Sequence, residues 1–153
     1  MTTLNGEYRE ELDKRIRRLV DVFSYLPGII IYTSCGGHEE KNHQSQCNTD
    51  EFNVGFFVFV KKEGLSSLRL INRAAKLVDR NNIIIIPQNS DNSTNNLYIY
   101  AIYGFNGVSP DDFAYELEKC IKSYFQVTNI NDLERHFYSS TRDDIDPSVE
   151  DSK

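Results

Sequence analysis

The chain has 153 residues, a formal net charge of −6 and a hydrophobic fraction of 39%, which suits one domain that buries its own core without a disulfide or metal staple. Its apolar runs are far shorter than the roughly 20 residues that cross a bilayer, and its first residues lack a signal-peptide pattern, so we expect a soluble, cytoplasmic protein with reduced thiols and no membrane partner. The acidic body does not favour nucleic acid as a partner.

The first predicted element is a helix over about residues 7–25. Pro27-Gly28 ends it, and two predicted strands follow, over 29–34 and 52–60. Both strands are apolar on both faces, which predicts central positions in the sheet. The helix is indicated by one apolar face at helical spacing, formed by Leu12, Ile16, Leu19, Val20 and Phe23.

A second helix is predicted to begin near Ser66 or Ser67, and a third strand covers 83–86 and stops at Pro87. A polar loop then runs to residue 96. The helix is indicated by the spacing of four apolar residues, which are Leu68, Ile71, Ala75 and Val78.

The fourth strand is predicted over 97–105, where apolar and aromatic residues alternate. Ser109 and Pro110 then predict a helix start, with a serine N-cap and proline at the first helical position. Cys120 lies on the apolar face of this helix, which favours a buried thiol. Residues 130–138 are expected to form a short helix or a covering segment.

These elements predict a single α+β domain over 1–138, in the order α-β-β-α-β-β-α, with a mainly antiparallel four-stranded sheet packed by helices. Residues 139–153 read as an acidic disordered tail. The two α-β-β units share a weak similarity, and if a pseudo-two-fold axis relates them, we expect the polar loops 34–51 and 87–96 to leave equivalent ends of the sheet. Loops of this length often carry function.

The strongest candidate site follows the first strand. Its six residues are Thr33, Ser34, Cys35, Gly36, Gly37 and His38. The two glycines allow consecutive amide groups to turn toward an anion, and the neighbouring side chains supply donors. The pattern therefore predicts a phosphate or carboxylate site, although Gly-Gly is also typical of a simple turn.

Two other chemistries remain open for this loop. Cys35, His38, His43 and Cys47 are residue types that zinc prefers, but their spacing is not that of a standard zinc finger. Cys35 as a thiolate beside His38 or His43 is also compatible with nucleophilic catalysis.

Aromatic residues in the predicted strands offer a further surface. They are Phe57, Phe59, Tyr98, Tyr100, Tyr103 and Phe105. A base could stack on these rings if one face of the sheet is left uncovered, whereas aromatic residues in strands more often belong to the core.

Residues 13–37 resemble the start of the wybutosine-synthesis tRNA methyltransferase family, through Leu19-Val20-Asp21, Leu26-Pro27-Gly28 and Tyr32-Thr33-Ser34-Cys35-Gly36-Gly37. The resemblance implies an S-adenosylmethionine-dependent enzyme, with Ser34, Cys35 and Gly37 on the family motif. His38 stands where that family has arginine. The segment is also similar to small phage and bacterial proteins with Ser-Cys-x-Gly-His after a Pro-Gly break.

The sequence thus favours binding of a small anionic or nucleotide-like ligand in a pocket formed by loops 33–51 and 87–96, through the six residues 33–38. The alternatives are a methyltransferase-like enzyme that uses S-adenosylmethionine, or a zinc-stabilised interaction protein. A homo-oligomer is left open.

Overall fold

The computed structural model describes residues 14–36, 50–88 and 97–136. These described residues form three α-helices and four strands, which confirms the predicted α+β class and the order of the elements. The helices are α1 (Lys14–Phe23), α2 (Gly64–Asp79) and α3 (Pro110–Phe125), and the strands are β1 (Ile29–Cys35), β2 (Phe52–Phe59), β3 (Ile83–Pro87) and β4 (Leu97–Gly104). Two 3-10 turns cover Val60–Lys62 and Ile130–Asp132.

The four strands form one sheet in the order β1-β2-β4-β3, and every neighbouring pair is antiparallel. The prediction of a central position is confirmed for β2 and wrong for β1, which lies at an edge of the sheet that the described strands form. Strand β1 is apolar on both faces for another reason. Ile29 and Ile31 enter the main core, while Ile30 on the opposite face packs with Phe59 and Leu97 in a second, smaller cluster.

The described helices pack on one face of the sheet, where they bury the main core. From the sheet, this core takes alternate residues of β2 together with Ile31, Ile83 and Ile102. The β2 residues are Phe52, Val54, Phe56 and Val58. Strand alternation therefore sends Asn53, Gly55, Phe57 and Phe59 to the other side, which we call the helix-free face with reference to the described helices.

Helix α2 begins at Gly64, two or three residues before the predicted start. Glu63 precedes it in the left-handed region at φ 68°, and an added Cβ on Gly64 would lie 2.6 Å from the carbonyl oxygen of Phe59. Ser67 is not an N-cap, because it is buried and its hydroxyl donates to the carbonyl of Pro27 at 2.6 Å. The helix start is thus set by close packing against the end of β2.

Helix α3 begins as predicted. The Ser109 side chain accepts hydrogen bonds from the amides of Asp111 and Asp112, both at 3.1 Å, and Pro110 occupies the first turn. Cys120 on this helix is buried, also as predicted. The chain then returns to α1 through a segment whose Ile130 joins the core, which confirms the covering role expected for this region as far as residue 136. The predicted tail over 139–153 lies outside the described residues.

No helix in residues 14–36, 50–88 and 97–136 combines the length and the apolar character needed to cross a membrane.

Candidate functional site

The candidate site lies where β1 ends. The structure describes Thr33, Ser34, Cys35 and Gly36 of the six predicted residues. Gly37 and His38 lie outside the described part of the chain, as do His43 and Cys47 of the alternative zinc set. For the described residues, the strand register shows which side of the sheet each one takes.

The predicted residues do not all lie on the same side of the sheet. Thr33 is opposite Gly55 and Cys35 is opposite Asn53, so both belong to the helix-free face. Ser34 is opposite Val54, a residue of the main core, and therefore belongs to the helix side. Cys35 is buried. The structure thus brings Thr33 and Cys35 together on the helix-free face and separates Ser34 from them.

A bulge in β1 places one further residue at this site. The register with β2 shifts between Ile31 and Thr33, so Tyr32 is the extra residue of β1. Its ring contacts that of Phe57 with 4.9 Å between the centroids. A Cβ added to Gly55 would lie 2.7 Å from Tyr32 Cζ and from Thr33 Cγ2. The tyrosine ring therefore lies across β2 and needs glycine beneath it.

Tyr103 of β4 approaches the same place from the other side of β2. It is opposite Asn53, and Ala101 is opposite Gly55, so the two tyrosines flank the Asn53–Gly55 portion of β2. Burial raises the pKa of the Tyr32 phenol, and the neighbouring Tyr103 raises it further. Both causes favour the neutral hydroxyl, which can donate and accept a hydrogen bond. Tyr32 is 39% exposed.

The helix-free face at this end of the sheet therefore carries a group of aromatic and small polar side chains on the described strands β1, β2 and β4. It is formed by Tyr32, Thr33, Cys35, Asn53 and Tyr103. We call these five residues the tyrosine site.

Sequence reasoning missed Tyr32 as a site residue. Its position in a strand beside three isoleucines suggested a core residue, and a bulge leaves no reliable trace in the hydrophobic pattern. The glycine at position 55, inside an aromatic strand, was the available signal, because such a glycine often marks a close approach.

The other aromatic residues divide between the two faces. Phe57 and Tyr103 lie on the helix-free face, and Tyr103 stacks on Phe105 with 6.3 Å between the centroids. Tyr100 packs against the main core beside Phe56 on the helix side. Tyr98 is two residues away from Tyr100 and shares that side by strand alternation. The predicted stacking surface is therefore smaller than the sequence suggested.

The two predicted loops depart from opposite ends of the sheet. Cys35, the last residue of β1, is opposite Asn53 near the start of β2. Pro87, the last residue of β3, pairs with Tyr100, and Leu97, the first residue of β4, pairs with Phe59 at the end of β2. An eight-residue strand spans about 24 Å. This strand order is the one that a pseudo-two-fold axis between β2 and β4 produces, so the two ends are equivalent in that sense. The residues that lead into the two loops nevertheless lie at opposite ends of the sheet, and the loop residues themselves lie largely outside the described residues.

The described residues contain a groove elsewhere, of about 460 Å³, between α2 and α3. It is lined by Leu70, Arg73, Glu116, Cys120 and Tyr124, among others. Burial raises the pKa of the Cys120 thiol, which makes this cysteine a poor nucleophile. Within the described ranges, no group of three or more His, Cys, Asp or Glu residues is arranged to hold a metal ion.

Comparison of the chain with protein-family models, curated proteins and solved structures gave no match. The resemblance of residues 13–37 to the wybutosine-synthesis methyltransferases and to the phage and bacterial proteins therefore stays a prediction.

Proposed function

We propose that the protein binds a small nucleotide-like ligand, with a planar group and an anionic group, at the tyrosine site. The observation that carries this proposal is the position of Tyr32. The β1 bulge puts a partly exposed ring across Gly55 and near Tyr103, on the strand that leads, after three further residues, into the Gly36-Gly37-His38 segment. One ligand of nucleotide size could contact both the rings and the loop.

The planar part of the ligand would stack on the exposed side of the Tyr32 ring. The ring is supported from behind by Phe57 at 4.9 Å, so little side-chain entropy is lost when a ligand stacks on it. The hydroxyls of Tyr32 and Tyr103 and the Asn53 amide supply donors and acceptors for the polar edge of a base or sugar. Base–aromatic stacking contributes about 1–3 kcal/mol per base.

The anionic part would bind the loop that follows β1. Gly36-Gly37 amides and the His38 side chain are the groups predicted for this role from the sequence. The proposal keeps these residues and omits the loop 87–96, whose flanking residues lie at the far end of the sheet. No described side chain of the tyrosine site is charged, so selectivity for an anion depends on that loop.

The described surface favours a small molecule over a polynucleotide. A nucleic-acid strand is usually held by basic side chains along its path, and the tyrosine site has none. The predictions of a cytoplasmic location and of a homo-oligomer are not needed for this proposal.

The proposal is tested by calorimetric titration of the full chain with adenosine 5′-monophosphate and, separately, with inorganic phosphate. We expect the nucleotide to bind more tightly than phosphate, because only the nucleotide stacks on Tyr32. Tyr32→Ala should weaken nucleotide binding at least about tenfold and affect phosphate less. His38→Ala should abolish binding of both without unfolding the protein.

Tyr115→Ala is the matched control, because Tyr115 is an exposed tyrosine on α3, away from the helix-free face. It should leave both affinities unchanged. Circular dichroism of each variant shows whether the fold is retained. The proposal is wrong if neither ligand binds, or if Tyr32→Ala and Tyr115→Ala have equal effects.

The two alternatives are distinguished with the same protein. S-adenosylmethionine added to the titration panel tests the methyltransferase interpretation. Native mass spectrometry with and without a chelator tests the zinc interpretation. One zinc per chain, lost on replacing Cys35 or His43, would make the loop a metal site and would argue against an anion site there.

A further inference from the structure

The outer edge of β3 is the starting point for a second inference, which does not depend on the proposed function. Strand β3 lies at the end of the sheet, and no other described strand pairs with its outer edge. Its sequence, Ile83-Ile84-Ile85-Ile86-Pro87, has no charged residue. Ile84 and Ile86 are 42% and 40% exposed on the helix-free face. Edge strands are usually protected from pairing with another chain by charges, bulges, proline or short length. Strand β3 has no charge and no bulge, and its proline stands only at its last position.

The hydrogen bonds at the two ends of β3 show which backbone groups point outward. The amide of Phe105 donates to the carbonyl of Asn82 at 2.9 Å, and the amide of Gln88 donates to the carbonyl of Ile99 at 2.8 Å. Hydrogen-bonded and non-hydrogen-bonded pairs alternate along an antiparallel ladder. Ile84 and Ile86 therefore bond to β4, whereas the N–H and C=O groups of Ile83 and Ile85 point away from the sheet.

We propose that two copies of this chain associate through their β3 strands, antiparallel about a two-fold axis at Ile84, into a continuous eight-stranded sheet. In this register Ile83 of each copy faces Ile85 of the other. All the outward N–H groups of these two residues then find acceptors, through four backbone hydrogen bonds in total. Ile84 faces its own counterpart at a non-hydrogen-bonded position, where Cα atoms lie about 4.5 Å apart.

Pro87 selects this register over the neighbouring one. If the axis passed through Ile85 instead, Ile83 would face Pro87 of the other copy at a hydrogen-bonded position. Proline has no N–H to donate, so the carbonyl of Ile83 would lose its partner. With the axis at Ile84, Pro87 lies beyond the paired residues.

The charge and symmetry of the strand favour a second copy over another partner. Each chain has a net charge of −6, which opposes self-association wherever acidic surfaces meet. The β3 edge is uncharged and places isoleucine opposite isoleucine, so two identical chains meet there without electrostatic repulsion. Strand β3 itself carries no charge that would select a peptide of opposite charge.

Cysteine crosslinking tests the register. Ile84→Cys should form an intermolecular disulfide under mild oxidation, because a non-hydrogen-bonded antiparallel pair meets the Cα distance of a disulfide. Ile86→Cys is the matched control, since it lies on the same face with nearly equal exposure. In the proposed dimer its two copies are about 14 Å apart, so it should not crosslink. Peptide mapping separates the new disulfide from any that involves the native cysteines, with the wild-type chain oxidised in parallel.

Sedimentation equilibrium tests the association without crosslinking. We expect a monomer–dimer equilibrium whose dissociation constant rises at least about tenfold for Ile84→Lys, because two like charges then face each other across the axis. Leu65→Lys, on an exposed residue of α2, should leave it unchanged. A monomeric wild-type chain would overturn the proposal. Equal crosslinking of Ile84→Cys and Ile86→Cys would also overturn it. Crosslinking only when the two variants are mixed would place the axis at Ile85 and would overturn the proposed register.

Discussion

At the residue scale, the two glycines of the sheet show how a missing side chain positions an aromatic ring. Gly55 lets the Tyr32 ring lie across β2, and Gly104 lies against the ring of Phe52, which is fully buried. An added Cβ at either position would overlap its aromatic neighbour. Each glycine therefore leaves the space that one aromatic ring occupies, Tyr32 in the tyrosine site and Phe52 in the main core.

Gly104→Ala should destabilise the protein by about 1–3 kcal/mol, because the added Cβ would overlap Cε2 of the buried Phe52 ring. Gly107→Ala is the control. Its φ of 78° strains any L side chain, but an added Cβ there meets nothing within 4 Å, so its cost should be about 1 kcal/mol. Urea unfolding measures the free energy of unfolding of both variants, and the two values are compared if the m-values are equal. Equal costs would show that Phe52 adjusts and that Gly104 is not needed for packing.

At the element scale, the connection from α2 to β3 is held by one carboxylate. Asp79 ends α2, and its Oδ1 accepts from the amides of Asn81 and Asn82 at 3.1 and 3.2 Å. Its Oδ2 accepts from the Asn82 side-chain amide at 2.8 Å. These bonds, first of all the one from the Asn82 side chain, lower the pKa of Asp79 below its ordinary value of 3.8. The turn therefore fixes where β3 begins.

This pKa shift predicts the pH dependence of the turn. A carboxyl whose pKa is lower in the folded state stabilises the fold above its unfolded pKa, and the stabilisation is lost as pH falls through the folded pKa. Asp79→Asn should therefore be less stable than the wild type at neutral pH, and the difference should shrink below about pH 3.8. Denaturant unfolding at several pH values measures it. A difference between Asp79→Asn and the wild type that stays constant with pH would contradict the assignment.

At the scale of the whole molecule, the segment after α3 contacts the end of α1 and the two residues that follow it. The guanidinium of Arg135 pairs with Asp21, donates to Ser24 Oγ at 3.1 Å and lies over the Tyr25 ring at 5.1 Å. Tyr25 in turn donates to the Asn131 side chain at 2.9 Å. These contacts join residues more than 100 positions apart in the chain.

Arg135→Ala should destabilise the protein by about 1–2 kcal/mol, because it removes a partly buried cation with three kinds of contact. Arg18→Ala is the comparison, since Arg18 pairs with Glu118 at 3.1 Å but is half exposed. That change should cost about 0.5 kcal/mol or less. Urea unfolding of the two variants measures the difference. Equal losses of unfolding free energy would mean that the contacts of Arg135 contribute no more than an ordinary surface ion pair.

The sequence by itself determined the features that depend on neighbours along the chain. Helical spacing predicted α1 and α2, the Ser109-Pro110 cap predicted the start of α3, and alternation predicted β4, because each signal involves contacts within a few residues. The start of α2 was missed by two or three residues, since packing of Gly64 against Phe59 sets it.

Only the tertiary structure decided the order of the strands, the face that the described helices cover and the ends from which the two long loops depart. These features come from pairing between distant segments, which no local pattern encodes. Tyr32 belongs to the site because a bulge and a glycine on another strand turn it across the sheet. The outer edge of β3 is unpaired among the described strands because β3 is the last strand in their order and β4 is its one described neighbour.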